Sequence, residues 1–349
     1  MTENVDPQAD VASSLLAAPD PEVLRLEKQA RQRKTYAKEL GNPRRTLDRI
    51  PEPQDRLNRR LALWRSGAHA GSLIPVSEPE LALANSKHLI DIAAIYAETG
   101  LIPQALDFIS RAESSDPAVL DSRRYLGLIA YAAQYRRDLA ERFAFDVKVG
   151  EVIRAGRGKF NELVGNPSTT LCLVGNSPCE QGKGLGSEID AHDIVIRFND
   201  FSTSGLHKND YGRKTDIWAH VAIYENIWRR DEDAFAHTIL SGPPIYWRDP
   251  KCYPVQLDIR NSVEDIPPRV YFEISKLLGR HPSNGLIMLY WALQLRGSSE
   301  NIRTYGFSMI DQQPTVQNRY FDSGIIRKAP ANHHWEAEWA LFNSLLYQS

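Results

Sequence analysis

Thirty residues constrain this chain more than any others: LCLVGNSPCEQGKGLGSEIDAHDIVIRFND, from Leu171 to Asp200. A short apolar run passes through a turn and a glycine cluster, crosses a polar segment, and ends in a second apolar run at Arg197-Phe198-Asn199. That order reads as a strand, a ligand-ready loop and a second strand. Gly182, Gly184 and Gly186 would let backbone N–H groups approach a phosphate, and Asp200 follows at a distance that suits a dinucleotide fingerprint. The spacing argues against that reading, because Gly186 to His192 holds two helical turns at most, short of the crossover helix of a parallel βαβ unit.

With 349 residues the chain can build one large or two ordinary domains around a real core. Its formal charge of −2 gives no support for a nucleic-acid partner. Cys172, Cys179 and Cys252 are odd in number and lack metal-ligand spacing, so neither a disulfide framework nor a zinc site is expected, and a reducing cytoplasm is the simplest setting. Met1 to Asp10 is polar and acidic, unlike a signal peptide, and no uncharged run approaches the length of a membrane span.

Three regions follow from the pattern: residues 1–77, 78–165 and 166–349. The first is charged and expected to be partly disordered and partly surface-helical. Pro21 to Leu40 and Asp55 to Trp64 are helix candidates. In the latter, Leu57, Leu61, Leu63 and Trp64 stand beside Arg56, Arg59 and Arg60. A basic amphipathic stretch of this kind can lie on an anionic membrane surface, though packing on its own domain is commoner. In the second region Ile92, Tyr96, Ala105, Ile109, Ala112 and Pro117 fall at the offsets of a tetratricopeptide unit, with Gly100 in the turn. Leu126-Gly127 begins an imperfect second copy. Two units are too few for a free solenoid, so a docked helical subdomain is expected, serving as a protein-partner surface or as a packing element.

In the third region, starting near Thr169, Asp216 to Val221 reads as a strand and Tyr224 to Phe235 as a surface helix. Ile239 and Ile245-Tyr246-Trp247 suggest short strands separated by Gly242-Pro243-Pro244. Pro282 and Ser283 then cap Leu286 to Leu295, which is apolar almost all round and predicts a buried helix. Its free N–H groups would offer an anion site, although an ordinary capped core helix is the commoner reading of such a segment alone. A strand over Ile302 to Phe307 follows, and Asn332 to Glu338 opens a last helix through Leu341, Leu345 and Leu346.

The motif content resembles the sialyltransferases of glycosyltransferase family 29. Val174-Gly175-Asn176-Ser177, the run from Ile189 to Asn199, and Gly212-Arg213-Lys214-Thr215 match the family's long motif in order. Pro282-Ser283-Asn284-Gly285, the helix containing Ala292-Leu293, and Tyr305-Gly306-Phe307 match its short motif. Asn284 stands where Thr or Ser is common. His333 with Glu338 fits the very short motif, and His334 with Glu338 is an i, i+4 alternative. Arg319-Tyr320-Phe321-Asp322 is a looser match, with Arg319 where His is usual.

The resemblance implies an α/β fold, a Rossmann-like nucleotide-binding sheet with helices on both faces; the small all-helical tetratricopeptide-like subdomain read from the repeat offsets precedes it. It implies a CMP-activated acidic sugar as donor, sialic acid or the related keto acid Kdo, and a glycan or lipid-linked saccharide as acceptor. Asn176, Ser177 and Asn199 would bind the donor, with Ser283, Asn284 and Gly285 holding nucleotide or phosphate. His333 would be the general base, with Glu338 orienting either that helix or the histidine, while Tyr320 and Arg319 would sit near the phosphate. An activated phosphodiester leaving group does not require a metal, so a metal-independent, cofactor-free, inverting transfer is expected. Animal members carry a membrane anchor and a disulfide between the two motifs. Here the short-motif cysteine position reads Arg296, and a cytoplasmic, bacterial-type relative, peripheral at the membrane at most, is expected. The competing readings are a helical-repeat adaptor with an inactive nucleotide-binding half, and an NAD or S-adenosylmethionine enzyme built on the glycine cluster.

Overall fold

The computed structural model describes residues 47, 49–65, 67, 75–122, 126–221, 236–242, 262–308, 316–317, 319–321, 326–327 and 333–347. The helices proposed over Pro21–Leu40 and Tyr224–Phe235, the strand at Ile245–Trp247 and Asp322 lie outside them.

The first half is helical: α1 (Pro53–Arg65), α2 (Glu78–Leu83), α3 (Ser86–Glu98), α4 (Ile102–Ser115), α5 (Leu126–Ala132), α6 (Arg137–Arg142), α7 (Ala144–Gly156) and α8 (Lys159–Val164). Asn85 caps α3 by accepting from the His88 amide at 3.0 Å, and Gly100, at φ +79°, makes the turn into α4. Ile92, Ala105, Ile109 and Ala112 are buried between this pair, and Tyr96 stacks on Phe108 with ring centroids 5.3 Å apart.

The amphipathic stretch from Asp55 to Trp64 lies in α1 and is not a membrane face. Leu57, Leu61 and Trp64 pack in one cluster with Leu89, Ile92 and Ala93. Arg60 is buried against Glu80 at 3.0 Å, and Trp64 Nε1 donates to Glu98 Oε2 at 2.6 Å. The apolar side is therefore already covered, and the helical layer begins before residue 78. Among the described residues no helix is long and apolar enough to cross a membrane.

The second half carries six parallel strands: β1 (Leu171–Val174), β2 (Ile194–Phe198), β3 (Ile217–Val221), β4 (His237–Ser241), β5 (Ser262–Asp265) and β6 (Ile302–Tyr305). Their spatial order is β5-β4-β3-β2-β1-β6, reversing direction of travel at β1, which makes the β1/β6 boundary a topological switch point. The alternating side chains divide between two cores, as strand periodicity requires. Leu171, Leu173, Ile194, Ile196 and Phe198 face one side, covered by α8, α11 (Pro268–Leu278), α12 (Asn284–Arg296) and α13 (Trp335–Tyr347). Cys172, Val174 and Val195 face the other, with Ile189 of α9 (Gly186–Asp190) and Tyr211 of α10 (His207–Tyr211). A two-residue antiparallel pair, β7 (Val316–Gln317) with β8 (Ile326–Arg327), stands apart.

Two sequence expectations change here. Strands β1 and β2 do pair in parallel, Leu171 opposite Ile194. The connection that counts runs from residue 175 to 193, long enough for a crossover, with α9 as its short helix. The α/β core also starts earlier than residue 166. Phe160 and Val164 of α8 belong to it, and a Cβ on Gly156 would lie 2.0 Å from the Val263 carbonyl oxygen, so α7 rests directly on β5.

Arg296 has a structural use. Its guanidinium donates to the carbonyls of Val164 and Thr169 at 2.8 and 2.9 Å, fastening the end of α12 to the start of the sheet. Cys172 and Cys179 are free thiols, and burial pushes Cys172 up to about 12. Thiol alkylation of the native protein at pH 8 should therefore spare Cys172, and mass mapping of the labelled peptide checks this.

Candidate functional site

The motif residues converge on the C-terminal edge of the sheet, where open α/β folds bind ligands. Two glycines permit it. A Cβ on Gly175, after β1, would meet the Gly306 carbonyl oxygen at 2.4 Å, and one on Gly306, after β6, would meet that of Gly175 at 2.4 Å. The backbones cross in contact, and Ser177 N–H donates to Gly306 O at 2.9 Å.

Asn176 donates through Nδ2 to the carbonyls of Phe198 and Asp200, both at 3.0 Å, bracketing Asn199. Its Oδ1 is buried without a partner among the described residues. Asn199 itself adopts φ +50°, a left-handed conformation that asparagine tolerates better than most residues. That turn aims its Oδ1 at the Val221 amide (3.1 Å) and at Asn284 Nδ2 (2.9 Å). Asn284 Oδ1 in turn accepts from the Ser241 hydroxyl at 2.6 Å. The Asn284 amide thus ties the ends of β2 and β4 to the start of α12. Ser177 Oγ lies 2.6 Å from Ser308 Oγ.

Ser283 is the N-cap of α12, its side chain accepting from the Leu286 amide. The Ser283 N–H donates to Glu338 Oε2 at 3.0 Å, and Glu338 Oε1 lies 3.1 Å from His333 Nδ1. Glu338 is fully buried, whereas His333 keeps about a sixth of its side chain exposed, 17%. His333 Nδ1 also faces the His281 carbonyl at 2.9 Å. A carbonyl and a carboxylate can only accept, so Nδ1 carries the proton and the neutral ring has its lone pair on Nε2. His334 is differently employed. Its Nδ1 accepts from the Ala337 amide at 3.1 Å and its carbonyl from Glu338 N–H at 2.9 Å, so it caps α13, and burial lowers its pKa.

Gly285 has a packing reason. A Cβ there would sit 2.3 Å from Phe307 Cε1, and that ring is held against Phe342 and Phe198. Helix propensity alone would favour alanine by about 1 kcal/mol. Overpacking costs about 1–3 kcal/mol, so Gly285→Ala should destabilise, measured as a lower urea midpoint.

One other expected placement is corrected. Tyr320 is buried and stacked on Tyr211 at 3.8 Å, with its hydroxyl donating to Ser202 O (2.6 Å) and accepting from Ser202 N (2.9 Å). It holds the 200–202 loop instead of reaching toward a phosphate. The glycine cluster is not presented to a phosphate either: the N–H groups of Gly182 and Gly184 donate to the Asp210 carboxylate at 2.8 and 2.9 Å, bonds that lower its pKa. Arg319 is partly exposed, 3.9 Å from Asp200 and over the Phe321 ring at 5.7 Å.

Among the described residues no three His, Cys, Asp or Glu side chains converge as a cation site. The one Asp-x-Asp spacing in the catalytic half, Asp231-Glu232-Asp233, lies outside them. Sequence reasoning missed Ser241, Ser308, Asp210 and His281. Each is an isolated polar residue whose partner is distant in the chain, so no local pattern marks it.

A parallel sheet whose C-terminal edge carries two asparagines, a helix N-terminus and a tethered imidazole is equipped for group transfer from an anionic ligand. Residues 155–242 match the model of glycosyltransferase family 29 (sialyltransferase). A type 2 lactosamine alpha-2,3-sialyltransferase of Rattus norvegicus is 25% identical over 232 residues, 55% of this chain and 68% of that protein. An alpha-2,8-sialyltransferase 8E of the same organism is 25% identical over 198 residues, 48% of this chain and 50% of that one. A solved mammalian sialyltransferase is 18% identical and covers 56% of this chain and 75% of its own, with a TM-score of 0.37. The chain thus carries a match to glycosyltransferase family 29 over residues 155–242 and is similar to sialyltransferases, which supports a CMP-sugar-dependent glycosyltransferase.

Proposed function

We propose that the protein transfers sialic acid, or the related keto acid Kdo, from its CMP-activated form to a hydroxyl of a glycan or lipid-linked saccharide. The observation that carries this reading is the chain His333–Glu338–Ser283, which couples the His333 imidazole through a buried carboxylate to a helix N-terminus. The His333 Nε2 takes the proton of the acceptor hydroxyl while that oxygen bonds to the anomeric carbon. The bond from the anomeric carbon to the phosphate oxygen breaks and CMP leaves, so in-line attack inverts the anomeric centre. Glu338 stabilises the imidazolium as it forms. The N-terminus of α12 and Arg319 offset charge on the departing phosphate, which is why no metal is required. Asn176 Oδ1, buried without a partner among the described residues, accepts from a donor group of the nucleotide. The helical layer, tetratricopeptide-like in its offsets, serves as a surface for a protein partner, and the enzyme works in the cytoplasm.

CMP release from CMP-sialic acid and from CMP-Kdo, each with and without EDTA, tests this. Release from one donor that persists in EDTA is the expected result. Release abolished by EDTA would refute metal independence. Binding of NAD or S-adenosylmethionine with no binding of CMP would overturn the reading altogether, and CMP binding without turnover on any acceptor would favour an inactive adaptor.

A further inference from the structure

The imidazole of His333 is held from two sides, and only one of them belongs to the catalytic sheet's own network. Glu338 is the first holder. The second is the carbonyl of His281, and the His281 ring reaches the N-terminal helical layer: its Nε2 lies 2.6 Å from the carbonyl oxygen of Arg65, the last residue of α1. Because a carbonyl accepts, Nε2 carries the proton, leaving Nδ1 to accept from the Tyr271 hydroxyl of α11. Gly67, at φ +84°, presses on the same spot, since a Cβ there would lie 2.3 Å from His281 N and 2.4 Å from Arg280 C.

The Arg65 end is itself fixed. Trp64 bonds Glu98, Arg65 pairs with buried Asp91 on α3, and the Gly67 amide donates to Trp64 O at 2.9 Å. A continuous path of packed and bonded groups runs from α3 through the end of α1 to His281 and on to the base.

We propose that His281 is a positioning residue for His333, and that through it the helical layer sets the orientation of the general base. This rests on His333 being the base in the proposed transfer. The helical layer is then a working part of the transferase site as well as any docking surface it provides.

Three variants of the full chain test the inference: His281→Ala, His281→Gln and Gly67→Ala. Steady-state CMP release gives kcat and donor KM, and long-range ¹H–¹⁵N spectra of histidine-labelled protein report the His333 ring, assigned by its loss in His333→Gln. Misplacing a reacting group by a fraction of its contact distance is costly, so His281→Ala should lower kcat about ten-fold with donor KM within about two-fold. Glutamine can donate to Arg65 O and accept from Tyr271, so His281→Gln should restore kcat to within about three-fold. Gly67→Ala alters no side chain of the site and presses only on the backbone at Arg280–His281, yet should lower kcat in the same direction. Unchanged kcat in His281→Ala, or a Gly67→Ala protein that melts earlier but turns over normally, would overturn the proposal. If the wild type turns over no CMP-sugar, the transfer reading fails by itself. The spectra still decide the tether, because a His333 ring signature unaltered in His281→Ala would sink it without any activity being measured.

Discussion

Replacing His333 with alanine is expected to cut turnover by about 10²–10⁴ while donor affinity changes less than about three-fold. The asymmetry follows from what the ring touches. Nδ1 is committed to Glu338 and to the His281 carbonyl, so the lone pair that can take up a proton is on Nε2. The side-chain amides of Asn176, Asn199 and Asn284 are held by their own bonds, none of which includes His333. His334→Ala is the control, because His334 spends its Nδ1 on the cap of α13. That change should cost about 1 kcal/mol of stability, the usual value of a lost cap, with turnover within about three-fold of wild type. Turnover retained in the His333 variant and lost in the His334 variant would exchange the two assignments. Turnover retained in both would remove histidine from the mechanism.

Much of this arrangement was legible in the sequence because its signals are local. The β1 and β2 runs alternate between two buried faces, Ser283 sits one residue before a largely apolar helix, and His333 and Glu338 are five positions apart across a helix start. Strand β5 and helix α11 were not legible. Ser262-Val263-Glu264-Asp265 reads as polar, and its acids are buried only because distant groups satisfy them: Arg157 takes Asp265, while the amides of Gly158 and Phe160 and the ring of His237 take Glu264. A buried carboxylate with remote partners looks from sequence like a surface residue.

The glycines show the same limit from the other direction. Positive φ at Gly182 and Gly184 is what a phosphate loop would need, and the sequence registers that need correctly. What occupies the loop's amides is Asp210, about thirty positions on, and nothing in the spacing announces it. Tyr320 was misplaced for a related reason: its motif position says that the tyrosine matters, and only packing says that it matters as a stacked, doubly bonded strut under the Ser202 loop.

Glu338→Gln should lower kcat by about 10²–10³ and stability by about 1–3 kcal/mol, whereas Glu338→Ala should lose more of the latter. The carboxylate accepts from two sides at once, the Ser283 N–H and the His333 ring. An amide of the same shape can accept through one atom only. If its oxygen keeps Ser283, its NH₂ faces Nδ1–H of His333, two donors opposed in a fully buried place. If its oxygen keeps His333, the Ser283 amide is stranded at the first turn of α12. Either way the fold loses about one buried hydrogen bond, and the reaction loses in addition the negative charge that meets the developing imidazolium. Those two losses separate experimentally. Stability read from urea unfolding reports the first, and kcat measured on protein still folded at the assay temperature reports the second. A glutamine variant that unfolds more easily yet turns over at the wild-type rate would reduce Glu338 to a strut between α12 and α13. One that keeps its stability and loses its rate would place the carboxylate's charge in the transition state.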